Sequence, residues 1–425
     1  MALLQISGPS PLYGEISIQG SKNAVLPMMA AALLHEGITV LTNVPVIRDV
    51  ACMKDILEAL GCRCCQKGDC LMIDARFLKL SRVPREHMTA MRSSIIVLGA
   101  LIGRLGEGSC CHPGGCLIGE RPIDLHLSVL KSLGVSVKEE EGWIEAECSA
   151  GKLLGTEITL PYPSVGATEQ AILAAVLAQE VTVIHHAAME PEISQLCGFL
   201  NNMGAVICGM GTDHLMVQGV KSLHDSSFRI EGDRIVAGTY GAAVAAAGGH
   251  VAIKGIKPSW LELPLRMLER AGAQIRREEA LGRFDIRMER RPWALTLKTG
   301  PYPAFPTDLQ SPFMALLAGA EGESRIEETV FEGRFATAAG LKAMGAKIHC
   351  RQGTAVITGR TPLKGTQVEA ADLRGGAALA LAALAAEGET LISGCHHICR
   401  GYEDIARDLK ALGAPAFWLG QHETR

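Results

Sequence analysis

No apolar run in this sequence is long enough to cross a bilayer. The two most apolar stretches, 95–103 and 241–253, fall well short of the ~20 residues a spanning helix needs. Residues 1–14 have neither a basic start nor an apolar stretch of signal-peptide length. There is no surplus of positive charge either: 41 Lys and Arg face 45 Asp and Glu, for a net charge of −4. That balance argues against a nucleic-acid or polyanion surface, so anion binding must come from local arginines. Paired Cys-x-x-Cys hooks are also missing. The 14 cysteines include a cluster at Cys62, Cys64, Cys65 and Cys70, but its spacing is not that of a zinc site. A disulfide framework belongs to short secreted chains. The expectation is a cytoplasmic enzyme with reduced thiols, no metal, no cofactor, and no membrane or nucleic-acid partner.

What the 425 residues do contain is apolar material for a core, at 48% hydrophobic, and an excess of glycine, with 47 residues. One phrase recurs through the chain. Segments with helical character end at Gly61, Gly134, Gly204, Gly272, Gly345 and Gly413, at intervals of 73, 70, 68, 73 and 68 residues. Glycine after a helical pattern is a C-terminal cap, and the residues after each one read as a strand. A second phrase interleaves with the first. A polar or charged start opens an Ala/Leu-rich helix at Ser21, Arg92, Ser164, Asp233, Thr307 and Asp372. These helices are apolar nearly all round, as in 377–386, and such helices lie inside a domain. Six copies of a unit of about 70 residues follow, three to a domain, with a boundary near residue 230. Helix N-termini carry partial positive charge and free N–H groups, so six polar starts are potential anion sites.

The segment richest in chemistry is 113–126, Pro-Gly-Gly-Cys-Leu-Ile-Gly-Glu-Arg-Pro-Ile-Asp-Leu-His. Its glycines permit close backbone approach. A thiol near a fixed cation is biased toward thiolate, and an arginine fork suits phosphate or carboxylate. The segment reads as a loop presenting Cys116 to an anionic substrate beside Arg121.

With Gly20-Ser21-Lys22-Asn23-Ala24, Pro163 to Thr168, Glu190-Pro191-Glu192-Ile193, Asp233-Arg234-Ile235, Phe305 to Asp308, Arg334-Phe335, Asp372-Leu373-Arg374 and Arg400-Gly401-Tyr402-Glu403 in one order, the whole chain resembles the UDP-N-acetylglucosamine 1-carboxyvinyltransferases, enolpyruvyl transferases of early peptidoglycan synthesis. The resemblance implies two inside-out α/β domains, each of three repeated units around buried central helices, with the active site in the interdomain cleft. The first domain would be 22–230, carrying the Cys116 lid loop, and the second 1–21 with 231–425, the initial segment adding one strand.

It also implies the activity and the residues. The enolpyruvyl group of phosphoenolpyruvate passes to the 3-hydroxyl of UDP-N-acetylglucosamine, and phosphate is released. The related transfer to shikimate 3-phosphate, and a non-catalytic sugar-nucleotide binder, are the alternatives. Cys116 would protonate the methylene carbon and be alkylated by fosfomycin. Lys22, Arg121 and Arg400 would hold the phosphate, and Arg334 and Arg374 the carboxylate, with Arg92 in the same cationic cradle. Asp308 would be the general base, although Thr307-Asp308 also reads as a helix cap. Asp372 would support the site or simply cap a helix. Asn23 would hold the reacting hydroxyl; Pro122, Ile123, Asp124, Leu125 and His126 would contact uridine; Ser164, Val165 and Gly166 would offer N–H groups to the diphosphate; and Val330 would be a further substrate-binding residue. Two positions depart from the family pattern, Val236 and Cys399 standing where acids are usual.

Overall fold

The computed structural model describes residues 2–114, 119, 122–148, 151–360 and 362–420. Within these the chain forms two compact units, residues 20–114 with 122–231 and residues 2–19 with 119 and 232–420. Each has its own apolar core and three small sheets.

The repeat is a strand, a buried central helix, a second strand parallel to the first, an outer helix, and two antiparallel strands. The third copy shows it plainly, in Glu157–Thr159, Val165–Ala175, Val181–His185, Pro191–Asn202, Val206–Cys208 and His214–Gln218. The central helix is the crossover between the parallel pair, a connection that antiparallel hairpins do not need. Five sheets have four strands with this one-parallel, two-antiparallel order. The sixth has three, and a parallel bridge between Arg82 and Ser109 stands in for its missing edge.

All six glycines that close the outer helices have positive φ, from 87° at Gly134 to 108° at Gly272. A side chain would be strained there, which is why the same residue recurs at the same place. The central helices are buried on every face. Every residue from Leu373 to Leu384 in the helix Leu373–Ala385 is buried. In the second unit the helices Arg234–Ala247, Gln310–Ala318 and Leu373–Ala385 pack on one another, and small side chains let them approach. In the first unit Ile96–Leu105 packs on both Lys22–Ala31 and Val165–Ala175.

Two strands leave their place in the linear order. Leu12–Ser17 precedes the first central helix in sequence but pairs in parallel with Gly249–Lys254. Ser226–Arg229 precedes the fourth central helix but pairs in parallel with Ile38–Thr42. The first and fourth repeats have exchanged their opening strands. The expected single initial strand is two, Leu3–Gly8 and Leu12–Ser17, which join different sheets of the second unit. Leu3–Gly8 lies between Gly388–Ser393 and Ala416–Leu419, so the chain's start closes the sheet formed by its end. Among the described residues no helix is long and apolar enough to cross a membrane.

Candidate active site

In the first unit, Lys22 opens the helix Lys22–Ala31 and is only 9% exposed. Its Nζ stands 2.6 Å from Asp49 Oδ2, and Asp49 is likewise buried, in the first turn of the outer helix Arg48–Ala59. A buried cation needs such a partner, because desolvation costs several kcal/mol per ion, in rough terms. Asn23 follows, half-buried.

Two motifs some 40 residues apart in sequence come together in this unit. Arg92 lies on a 3-10 turn, Arg92–Ile95, ahead of the helix Ile96–Leu105 and not within it. Its Nη2 donates to the Pro122 carbonyl at 2.9 Å. Ile123 is buried, Asp124 begins the helix Asp124–Ser132, and Leu125 packs against the core. His126 faces Gly166, where a Cβ would lie 2.6 Å from His126 Cε1. Only glycine admits the imidazole so close to the start of Val165–Ala175. That helix is capped by Ser164, whose Oγ accepts the Ala167 N–H at 3.4 Å. The segment 122–126 and the helix start at 164–166 therefore form one surface. Cys116 and Arg121 lie outside the described residues.

One turn into this helix, Glu169 is buried. Burial first, then the charges of Glu192 and Glu190, push its carboxyl up to about 8.

In the second unit, Asp308 does not cap a helix. It sits on a 3-10 turn, Thr307–Leu309, and its carboxylate goes to two arginines. Oδ1 accepts from Arg334 Nη2, and Oδ2 accepts from Arg374 Nη2 at 3.0 Å and Nε at 3.3 Å. Both guanidinium groups are buried, with side chains 5% and 3% exposed, while the Asp308 side chain keeps 24% exposure. Burial opposes the charge on Arg374, but Asp308, Tyr402 and Asp233 outweigh it, and the pKa of Arg374 lies above the ordinary arginine value. Arg334 Nε and Arg374 Nη1 are buried without a hydrogen-bond partner among the described residues. Buried donors of this kind are rare and fit an anionic ligand with lone pairs to spare.

Asp372 does cap its helix, Oδ1 accepting the N–H groups of Arg374 and Gly375, each at 2.9 Å. Asp233 does the same for Ile235 and Val236, at 2.8 and 3.1 Å. Val236 is buried in the core behind that cap, and Cys399 is buried on the turn Ile398–Arg400. Arg400 is half-buried on that turn, and Val330 is exposed ahead of Arg334. Tyr402, next in line, meets Thr239 Oγ1 through its hydroxyl at 2.9 Å, and its ring centroid is 5.9 Å from the Arg374 guanidinium carbon.

The sequence signalled neither the Asp49 partner of Lys22 nor the Tyr402 neighbour of Arg374. Asp49 reads as an ordinary first-turn acid. Tyr402 lies inside a quoted motif, but only its packing on Arg374 gives it a place. A cavity of ≈ 750 Å³ in the second unit, by the C-terminal ends of the central helices, is lined by Arg287, Arg290 and Arg291 and by none of the candidate residues. Among the described residues no group of three or more His, Cys, Asp or Glu is set to hold a metal ion.

Two units of three such repeats, with charged residues at the starts of buried helices, define an enolpyruvyl transferase fold. The enolpyruvyl transferase NikO from Streptomyces tendae superposes with a TM-score of 0.88 at 25% identity, covering 98% of each chain. EPSP synthase from Acinetobacter baumannii shares the fold at a TM-score of 0.76 and 17% identity, covering 99% of this chain and 100% of that one. The chain belongs to the EPSP synthase (3-phosphoshikimate 1-carboxyvinyltransferase) family, whose pattern it matches over residues 6–409, and within it to the group of the UDP-N-acetylglucosamine 1-carboxyvinyltransferases. It is 45% identical over 415 residues to UDP-N-acetylglucosamine 1-carboxyvinyltransferase 2 of Caldanaerobacter subterraneus subsp. tengcongensis, covering 97% of this chain and 99% of that one. It is also 45% identical over 410 residues to UDP-N-acetylglucosamine 1-carboxyvinyltransferase of Cellvibrio japonicus, covering 96% and 97%.

Proposed function

We propose that this protein transfers the enolpyruvyl group of phosphoenolpyruvate to the 3-hydroxyl of UDP-N-acetylglucosamine and releases phosphate, as the first committed step of peptidoglycan synthesis in the cytoplasm. The observation that carries the reading is the carboxylate of Asp308 between two buried arginines that each keep an unpartnered N–H. A carboxylate is a suitable base for a hydroxyl proton, and the spare donors suit a carboxylate or phosphate.

The reaction then runs in two steps. Asp308 takes the proton of the sugar 3-hydroxyl as its oxygen adds to the central carbon of phosphoenolpyruvate. The double-bond electrons move to the methylene carbon, which takes a proton from the Cys116 thiol. A tetrahedral phosphate ketal results. The carbon–oxygen bond to phosphate then breaks with its electron pair leaving on phosphate, the Cys116 thiolate takes a methyl proton back, and the enolpyruvyl ether remains. Lys22, Arg121 and Arg400 would hold the phosphate, and Arg334 and Arg374 the carboxylate, with Arg92 part of the same cradle. Fixed cations stabilise the charge that builds in the intermediate without reorganising. Asn23 would hold the acceptor hydroxyl. The surface of Pro122, Ile123, Asp124, Leu125, His126, Ser164, Val165 and Gly166 would take the uridine diphosphate, with Val330 a further substrate-binding residue.

The test is phosphate release by the purified full chain from phosphoenolpyruvate plus UDP-N-acetylglucosamine, with shikimate 3-phosphate as the competing acceptor. Release with the sugar nucleotide alone is expected, and its absence overturns the reading. Fosfomycin should inactivate the wild type by opening its epoxide on Cys116, and Cys116→Asp should keep turnover while escaping the drug. Mass spectrometry of the treated protein reads the adduct.

A further inference from the structure

Behind Asp308 and Arg334 lies a buried acid that neither the motifs nor the reaction calls upon. Glu328 is 6% exposed, and its carboxylate collects four donors from three segments. Oε1 accepts from the Thr299 hydroxyl at 2.9 Å, the Val330 N–H at 2.8 Å and the Phe331 N–H at 3.1 Å. Oε2 accepts from the Thr307 hydroxyl at 3.0 Å. Thr307 adjoins Asp308. Phe331 leads into the turn Glu332–Ala336, where its carbonyl accepts the Arg334 N–H at 3.2 Å and its ring centroid is 5.5 Å from the Arg334 guanidinium carbon. The knot is tightened from the far side. Thr299 Oγ1 also accepts the Thr329 N–H at 2.9 Å, and its carbonyl accepts the Thr329 hydroxyl at 2.7 Å.

We propose that Glu328 is a positioning residue, one carboxylate that ties the segment before Asp308 to the segment before Arg334 and so sets base and arginine relative to each other. This rests on the transferase reading above. The chemistry favours glutamate over its neighbours in kind. Aspartate is one methylene shorter. Glutamine offers one acceptor oxygen in place of two, and its amide N–H₂ asks for acceptors where four donors already point. A charged acceptor also binds N–H and O–H groups more strongly than a neutral one, which suits a joint that must hold while substrates come and go. A displacement of about 1 Å at a reacting centre can cost about 100-fold in rate, so a residue that never touches substrate can still govern turnover.

Thr307→Val separates this role from bulk stability, because it cuts only the arm that leads to Asp308 and leaves the Thr299, Val330 and Phe331 bonds in place. Steady-state phosphate release should show kcat lowered by about 10-fold or more, with KM for UDP-N-acetylglucosamine changed much less. The acid limb of the kcat–pH profile should shift, since the surroundings of Asp308 change. Thr307→Ser, which keeps the hydroxyl, should restore both. Glu328→Gln should lower kcat further. If Glu328→Gln does not fold, Thr307→Val decides alone. A Thr307→Val protein that melts as the wild type does and keeps its kcat and pH profile overturns the inference. A wild type that releases no phosphate instead overturns the transferase reading, and the inference falls with it.

Discussion

At the scale of single residues, the proposed reaction turns on Asp308 as its base. Held by two guanidinium groups, it is the acid that hydrogen-bonds both buried charges. Asp308→Asn therefore has two effects. Turnover should fall by about 10²–10⁴, the usual worth of a positioned acid–base group. The melting temperature should also drop, because Arg334 and Arg374 lose their counter-charge. Phosphate release and a thermal melt check the two effects on one preparation, and near wild-type turnover would remove Asp308 from the role of base. Glu169 makes a prediction of opposite sign. Its carboxyl titrates near 4.5 when free and near 8 in the fold. Between those values the folded state binds more protons than the unfolded one, so this group lowers stability as pH rises. Glu169→Gln should match the wild type below pH 4.5, grow more stable than it through the interval, and hold a constant lead above pH 8. Chemical denaturation across that range reads the effect, and a lead that does not vary with pH would contradict it.

At the scale of elements, acids at the starts of the buried helices are used in two different ways. Asp233 and Asp372 accept two backbone N–H groups each, whereas Asp308, at a start that looks alike in sequence, gives its carboxylate to arginines. Asp372→Ala should accordingly cost about 1 kcal/mol of stability, the usual loss of an N-cap. It should also loosen the first turn that carries Arg374. A denaturation midpoint unchanged from wild type would show that the cap is not needed there. The buried all-apolar helices and their polar starts were legible because burial on every face leaves no polar stripe. The glycine caps were legible because positive φ admits little else. The Lys22–Asp49 pair was not legible. It joins two helices across a turn and a strand, and nothing in the local pattern of Asp49 distinguishes it from a solvated first-turn acid.

For the molecule as a whole, the exchange of opening strands has a consequence for folding. Residues 20–231 hold every strand of their three sheets, whereas the other unit draws on residues 2–19 for two of its own. Deleting residues 1–19 should leave the first unit folded and weaken the second, because Leu3–Gly8 is an inner strand and Leu12–Ser17 the parallel edge of another sheet. Limited proteolysis with mass spectrometry should then find a resistant fragment close to 20–231, and uniform digestion of both halves would refute it. The sequence by itself determined the sixfold repeat, the buried helices and the polar residues at their starts, since period, apolarity and cap chemistry are local properties of the chain. Only the tertiary structure decided which strand each helix adopts, that Asp308 meets arginines in place of its own helix, and that Lys22 meets Asp49. Those choices depend on contacts between residues far apart in the chain, where burying a charge is tolerable only beside its opposite.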